Sequence, residues 1–357
     1  MMRGMSAALR DSLYRAVLIV ILMTLVVDPP RLRAQQAPQR TFTNPVYRGA
    51  DPWIIHRDGA YYLCRSAGRG IEVWKSSQLT DRGQRKTVWR APETGWNRAE
   101  VWAPELHHLF GKWYIYYAAS TGRNADHRMG VLESVSDDPQ GEYIDRGQLY
   151  TGDDIARKRD NRWAIDGTTL QVNRDLYFVW SGWETTRDVQ HLYIARMENP
   201  WTIGGNRVRL CDNDTFPWER VGENPKERGL HEGPAAIVRN GRVFLIYSCS
   251  GSWQPTYKLA MLHADARADL LDPRSWTKHP APLFQGAGRT LGAGHCSFTT
   301  SPDGTQDWII YHTKTQRDAG WTDRVVHMQP FTWREDGFPE FGEPAQPGAL
   351  LALPAGE

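Results

Sequence analysis

Residues 230–250 read LHEGPAAIVRNGRVFLIYSCS. Two apolar runs, Ala235–Val238 and Val243–Tyr247, flank Asn240–Gly241. Asn and Gly both tolerate the left-handed backbone of a two-residue turn, so the stretch predicts a β-hairpin. Glu232 stands at its mouth, where a carboxylate contributes nothing to strand packing. A further strand-like run, YKLAMLH, begins at Tyr257.

The same pattern occurs four more times. ADPWIIHRDGAYYLCRSAG (50–68) places Asp51 ahead of a hairpin turning at Asp58–Gly59, and IEVWKSS follows from Ile71. WAPELHHLFGKWYIYYAAS (102–120) places Glu105 ahead of a turn at Gly111–Lys112. DGTTLQVNRDLYFVWSG (166–182) is headed by Asp166 and turns around Asn173–Arg174. GHCSFTTSPDGTQDWIIYHTKT (294–315) is headed by His295 and turns at Pro302–Gly304. The heads Asp51, Glu105, Asp166, Glu232 and His295 are spaced 54, 61, 66 and 63 residues apart. Three or four short strands per period of that length is the signature of a propeller blade. Five units predict an all-β, five-bladed β-propeller forming a single domain over residues 44–350.

The N-terminus reads differently. Arg3, Arg10 and Arg15 precede the apolar run Ala16–Val27, and Leu32-Arg33-Ala34 offers a cleavage point. The run is too short for a hydrocarbon core of about 30 Å, so residues 1–34 read as a secretory signal peptide and 35–43 as a linker. An uncleaved anchor is the alternative. The expected location is secreted or periplasmic, with no membrane attachment after cleavage. Removing 1–34 takes five basic and two acidic residues from totals of 43 and 41, leaving 38 and 39. A near-neutral chain has no electrostatic case for nucleic acid or anionic lipid. The four cysteines lack a CxxC spacing for a metal and read mainly as core residues.

Propeller topology gives the heads a shared place. The first strand of each blade lines the axis and all run in one sense, so residues at their starts converge at one end of the channel. Clustered carboxylates repel and cost desolvation, and packing alone gives no reason to assemble them. Two carboxylates in an aromatic-walled pocket are what glycoside hydrolysis requires: one protonated to release the leaving oxygen, one ionised to activate water or attack the sugar. A third acid nearby raises the proton affinity of its neighbour. Which acid takes which role stays open on this reasoning.

The segments ADPW (50–53), WAPELH (102–107), AIDGT (164–168), EGP (232–234) and GHCSF (294–298) together resemble glycoside hydrolase family 43, from about Asn44 to DGFPEFGEP (336–344). The resemblance implies that Asp51 is the general base, Glu232 the general acid, and Asp166 the acid that tunes and orients Glu232. It implies inversion at the anomeric carbon, hence about 6.5–9.5 Å between Asp51 and Glu232. Arg324 resembles the arginine that grips sugar hydroxyls; a surface ion pair with Asp323 or Asp318 is its other reading. His295 resembles a histidine on the axis that binds substrate, water or a metal, often calcium; a buried core histidine is its other reading. Family members commonly carry an amide after that histidine. Cys296 stands there instead, and a thiol is a poor ligand for calcium. Trp102 is a candidate for stacking on sugar, Trp53 a weaker one, and Glu105 looks architectural.

The resemblance further implies a plant cell-wall substrate containing arabinose or xylose, and no cofactor required for chemistry. The long segment WERVGENPKERGLHEGP (218–234) is similar to that of exo-acting α-L-arabinofuranosidases. The loops 181–190 and 249–257 are expected to frame the entrance. A β-xylosidase, an endo-arabinanase and a non-catalytic carbohydrate-binding propeller are the competing expectations.

Overall fold

The structure, a computed structural model, describes residues 40–185 and 189–357. The expected signal peptide (1–34) lies outside the described residues. Arg40–Glu357 forms one compact unit.

Its strands make five antiparallel blades, each wound from the axis outward, and one separate two-stranded sheet. Blade 1 comprises Trp53–Arg57, Ala60–Ala67, Gly70–Ser76 and Gln84–Arg90. Blade 2 comprises Ala99–Leu109, Lys112–Ser120, Arg128–Ser134 and Tyr143–Gln148. Blade 3 runs Ala164–Val172, Asp175–Trp183 and Gln190–Asn199, and blade 4 runs His231–Arg239, Arg242–Cys249 and Lys258–Asp265; both have short outer strands. Blade 5 runs Leu291–Thr300, Asp307–Lys314 and Arg324–Trp333. The five-bladed propeller read from the repeat is the fold.

Why the strands are apolar on both faces is clear from Arg242–Cys249. Val243, Leu245, Tyr247 and Cys249 pack toward blade 3, while Phe244 and Ile246 pack toward blade 5. Alternate side chains leave opposite faces of a strand, so a sheet covered on both sides needs apolar residues throughout. Five apolar clusters result, one in each gap between neighbouring blades. The four cysteines are free thiols, and three of them are buried.

The ring is closed by a strand the hairpin pattern does not reveal. Tyr47–Arg48 pairs with Val326 and Val325, adding the N-terminal segment to the outside of blade 5. Asn44 extends this clasp: its side chain donates to Met328 C=O (2.8 Å) and accepts from Met328 N–H (3.0 Å). Thr41–Thr43, expected in the linker, pairs with Leu350–Ala352, and the domain correspondingly extends beyond both expected boundaries. The turn of the second hairpin falls at Phe110–Gly111, one residue before its expected place, because those two residues carry the left-handed φ values of 49° and 81°.

Candidate active site

Four of the five inner strands carry one-residue bulges near their starts, one each in blades 3 and 4 and two each in blades 2 and 5. The left-handed residue that recurs is Ala103 in blade 2 (φ 40°), Asp166 in blade 3 (52°), Gly233 in blade 4 (55°) and His295 in blade 5 (46°), with Glu100 and Gly292 left-handed at the first bulges of blades 2 and 5. Asp51 holds the same conformation (50°) just ahead of the inner strand of blade 1. This set corrects the expected register of the heads. Glu232 precedes the repeating position by one residue and Glu105 follows it by two. A bulge re-aims the side chains around it, so the offset sends Glu105 elsewhere: it pairs with Nε2 of His107 at 2.9 Å. A left-handed backbone at a non-glycine residue is sparsely populated and gathers at functional sites.

The bulges bring the other heads together. Oδ1 of Asp51 lies 3.2 Å from Nδ1 of His295, which is 3.9 Å from Oδ2 of Asp166. Asp166 in turn accepts the N–H of Gly233 at 3.1 Å, next in the chain to Glu232. Glycine is required at 233, since a Cβ there would lie 2.9 Å from the His295 ring. Arg324 donates to Asp51 from Nη1 at 3.2 Å. Its alternative partner Asp323 is taken by Lys314 at 2.8 Å. Trp102 does not join the cluster by any described contact. Its ring stacks on His127, 3.8 Å between centroids. Trp53 donates to Leu106 C=O and lies against His107.

Electrostatics divides the three acids. Burial alone would raise Asp51, but Arg324, His295 and His312 together outweigh it and hold the carboxyl well below the usual range. Burial raises Glu232, opposed by the hydroxyls of Ser252 and Tyr257 and reinforced by the charge of Asp51. Asp166 is raised further, by burial first and then by Glu232 and Asp51. The charge of Glu232 is thus one reason that Asp166 favours its protonated form, so the two acids do not ionise independently.

Several residues of the site carry no repeat signal. Nδ1 of His312 meets both the N–H and Oδ1 of Asp51, at 3.2 and 3.3 Å. It sits inside the apolar run of a second strand, where a histidine reads as core. Gln190 donates to Glu232 at 3.3 Å and to Ser181 at 3.1 Å, and Ser181 donates to the C=O of His231. His231 is anchored on Glu219 of the 218–234 segment at 2.8 Å, and Lys278 and Tyr247 donate to the same oxygen. Burial pushes His231 down to about 4, so at neutral pH it is an uncharged donor and Lys278 is the cation that holds Glu219. Of the two segments expected to frame the entrance, one supplies Gln190, which binds Glu232, and the other places the hydroxyls of Ser252 and Tyr257 near the same carboxyl.

Calcium does not fit the axis as built. The donors around His295 are two imidazoles and shared carboxylates, whereas calcium takes six to eight oxygens. Among the described residues no group of three or more His, Cys, Asp or Glu is placed to hold a metal ion. Cys296 packs into the apolar gap between blades 4 and 5.

The family model for glycosyl hydrolases family 43 matches residues 42–339. The chain belongs to that family. As a family 43 member it is a glycoside hydrolase. It is 36% identical over 352 residues to an extracellular exo-α-(1→5)-L-arabinofuranosidase of Streptomyces avermitilis, covering 94% of this chain and 70% of the relative. An enzyme of the same description from Streptomyces chartreusis is 35% identical, with 80% and 86% covered. The crystal structure of an α-L-arabinofuranosidase from Lactobacillus brevis superposes with a TM-score of 0.78 at 34% identity, covering 86% of this chain and 98% of that one.

Proposed function

We propose that this family 43 hydrolase is a secreted, exo-acting α-L-arabinofuranosidase that removes terminal arabinose from arabinan or arabinoxylan side chains with inversion. The mechanism is supported by the surroundings of the acids: Asp51 is paired with Arg324 and His295, while Asp166 accepts the N–H next to Glu232, which lowers the first acid and leaves burial to raise the other two. Asp51, ionised and gripped by Arg324, takes the proton of the attacking water. Glu232 gives its proton to the glycosidic oxygen. Asp166 supplies the like charge that keeps a proton on the pair, and its bond from Gly233 N–H fixes the strand start that carries Glu232. His295 spans Asp51 and Asp166 and, with Arg324, is placed to orient the sugar. No metal takes part in any step. The arabinose reading is supported by the likeness to arabinofuranosidases that extends through the 218–234 segment.

The test is the ratio of hydrolysis rates on 4-nitrophenyl α-L-arabinofuranoside and 4-nitrophenyl β-D-xyloside, with proton NMR of the first sugar formed. The proposal expects arabinofuranoside preference and the inverted anomer. Preference for the xyloside would replace it with a β-xylosidase, release of oligomers from linear arabinan with an endo-arabinanase, and a retained anomer would end the single-displacement mechanism.

A further inference from the structure

Trp321 is 57% exposed, one of two exposed aromatic side chains among the described residues. The other, Phe110, caps the turn at the outlet end of an inner strand, away from the carboxylates. Trp321 is nonetheless tethered by three contacts. Its Nε1–H donates to Oγ of Ser252 at 3.1 Å, its C=O accepts from Nε of Arg324 at 3.3 Å, and Trp253 meets it edge-on at 5.2 Å between centroids. The loop beneath is tied by Asp323, which accepts the N–H groups of Thr315 (2.8 Å) and Gln316 (2.6 Å), and by Lys314, which donates to Gly320 C=O. An open indole face on a rigid mount is suited to stacking against the C–H face of a sugar, since the aromatic loses little freedom on binding.

Position says which sugar. The hydroxyl of Ser252, which accepts from Trp321, also lies near enough to Glu232 to favour its ionised form. Arg324, which donates to Trp321, also holds Asp51. Trp321 therefore sits at the mouth, one side chain removed from each end of the carboxylate set. The glycosidic oxygen must lie beside the acid that protonates it, so the leaving group extends along the Ser252 side. We propose that Trp321, backed by Trp253, is the wall of the leaving-group subsite and recognises the sugar ring from which the terminal residue is cut. This rests on the glycosidase reading of Glu232, though not on the identity of the sugar removed.

The test compares two substrates with the same glycone: arabinobiose, whose leaving sugar reaches the wall, and methyl α-L-arabinofuranoside, whose leaving group does not. Trp321→Ala should lower kcat/KM on arabinobiose about tenfold more than on the methyl glycoside, the scale of one lost aromatic contact. Trp321→Phe, which keeps a ring, should recover most of that difference. Equal losses on both substrates, or none on arabinobiose, would overturn the proposal. If wild type prefers xylosides, the arabinose reading fails alone, and xylobiose against methyl β-D-xyloside poses the same question of Trp321.

Discussion

Arg324 donates from Nη1 to Oδ1 of Asp51 across 3.2 Å, though 273 residues separate them along the chain. The contact joins the third strand of the last blade to the start of the first, beside the clasp made by Tyr47–Arg48. Ring closure and the low proton affinity of Asp51 therefore depend on the same neighbourhood. Arg324→Ala should free Asp51 to take a proton at higher pH. The acidic limb of the kcat/KM profile then moves upward, and activity at the optimum falls on the order of 10²-fold through lost positioning. A pH profile of the variant checks the direction; an unmoved acidic limb would mean that Arg324 does not govern Asp51.

Asp166 offers a stability test with a definite sign. Its proton affinity is raised in the folded protein, so above its unfolded pKa the carboxylate weighs against the fold, and below it both states are protonated. Asp166→Asn keeps the shape and an acceptor for Gly233 N–H while removing the charge. The variant should match wild type in Tm near pH 4 and exceed it increasingly toward pH 8, while losing about 10²-fold or more in kcat. Thermal melts across that range decide it; a Tm gain that shrinks with rising pH would contradict the raised affinity.

Glu219 has the opposite sign. Burial works against its ionised form, but His231 and Lys278 overcome this and lower it to about 2. Its contribution to stability is present above the unfolded carboxyl value and is lost as pH falls toward 2. Glu219→Ala leaves the half-buried Lys278 and the buried His231 and Tyr247 without their shared acceptor and should cost about 1–3 kcal/mol. Glu219→Gln should flatten the acid side of the stability curve. Because His231 precedes Glu232, both variants should also lower kcat more than they raise KM. Denaturant titrations at several pH values, with kinetics on the same samples, test both statements.

How much of this was legible follows from what each residue does in the chain. The hairpins were visible because both faces of each inner sheet are covered, which writes unbroken apolar runs such as Val243–Tyr247 on either side of a left-handed turn. Asp51, Asp166, Glu232 and His295 were visible because the repeat sets them at strand starts. The register of Glu105 and Glu232 was not, since a one-residue bulge leaves no mark in hydrophobic spacing. The clasp at Tyr47–Arg48 is too short for a pattern. His312, Gln190, Ser252 and Trp321 act from second and third strands and loops, where nothing in the local sequence separates a site residue from packing or surface.

The claim that Glu232 and Asp51 have separate jobs is tested most directly by varying the leaving group. Glu232→Ala and Asp51→Ala should each be compared on arabinobiose and on 2,4-dinitrophenyl α-L-arabinofuranoside, whose phenolate departs without a proton. The account predicts that Glu232→Ala loses 10²-fold or more on arabinobiose and far less on the dinitrophenyl substrate, and that Asp51→Ala loses on the order of 10²–10⁴-fold on both. Equal losses for Glu232→Ala on the two substrates, or rescue of Asp51→Ala by the better leaving group, would contradict it.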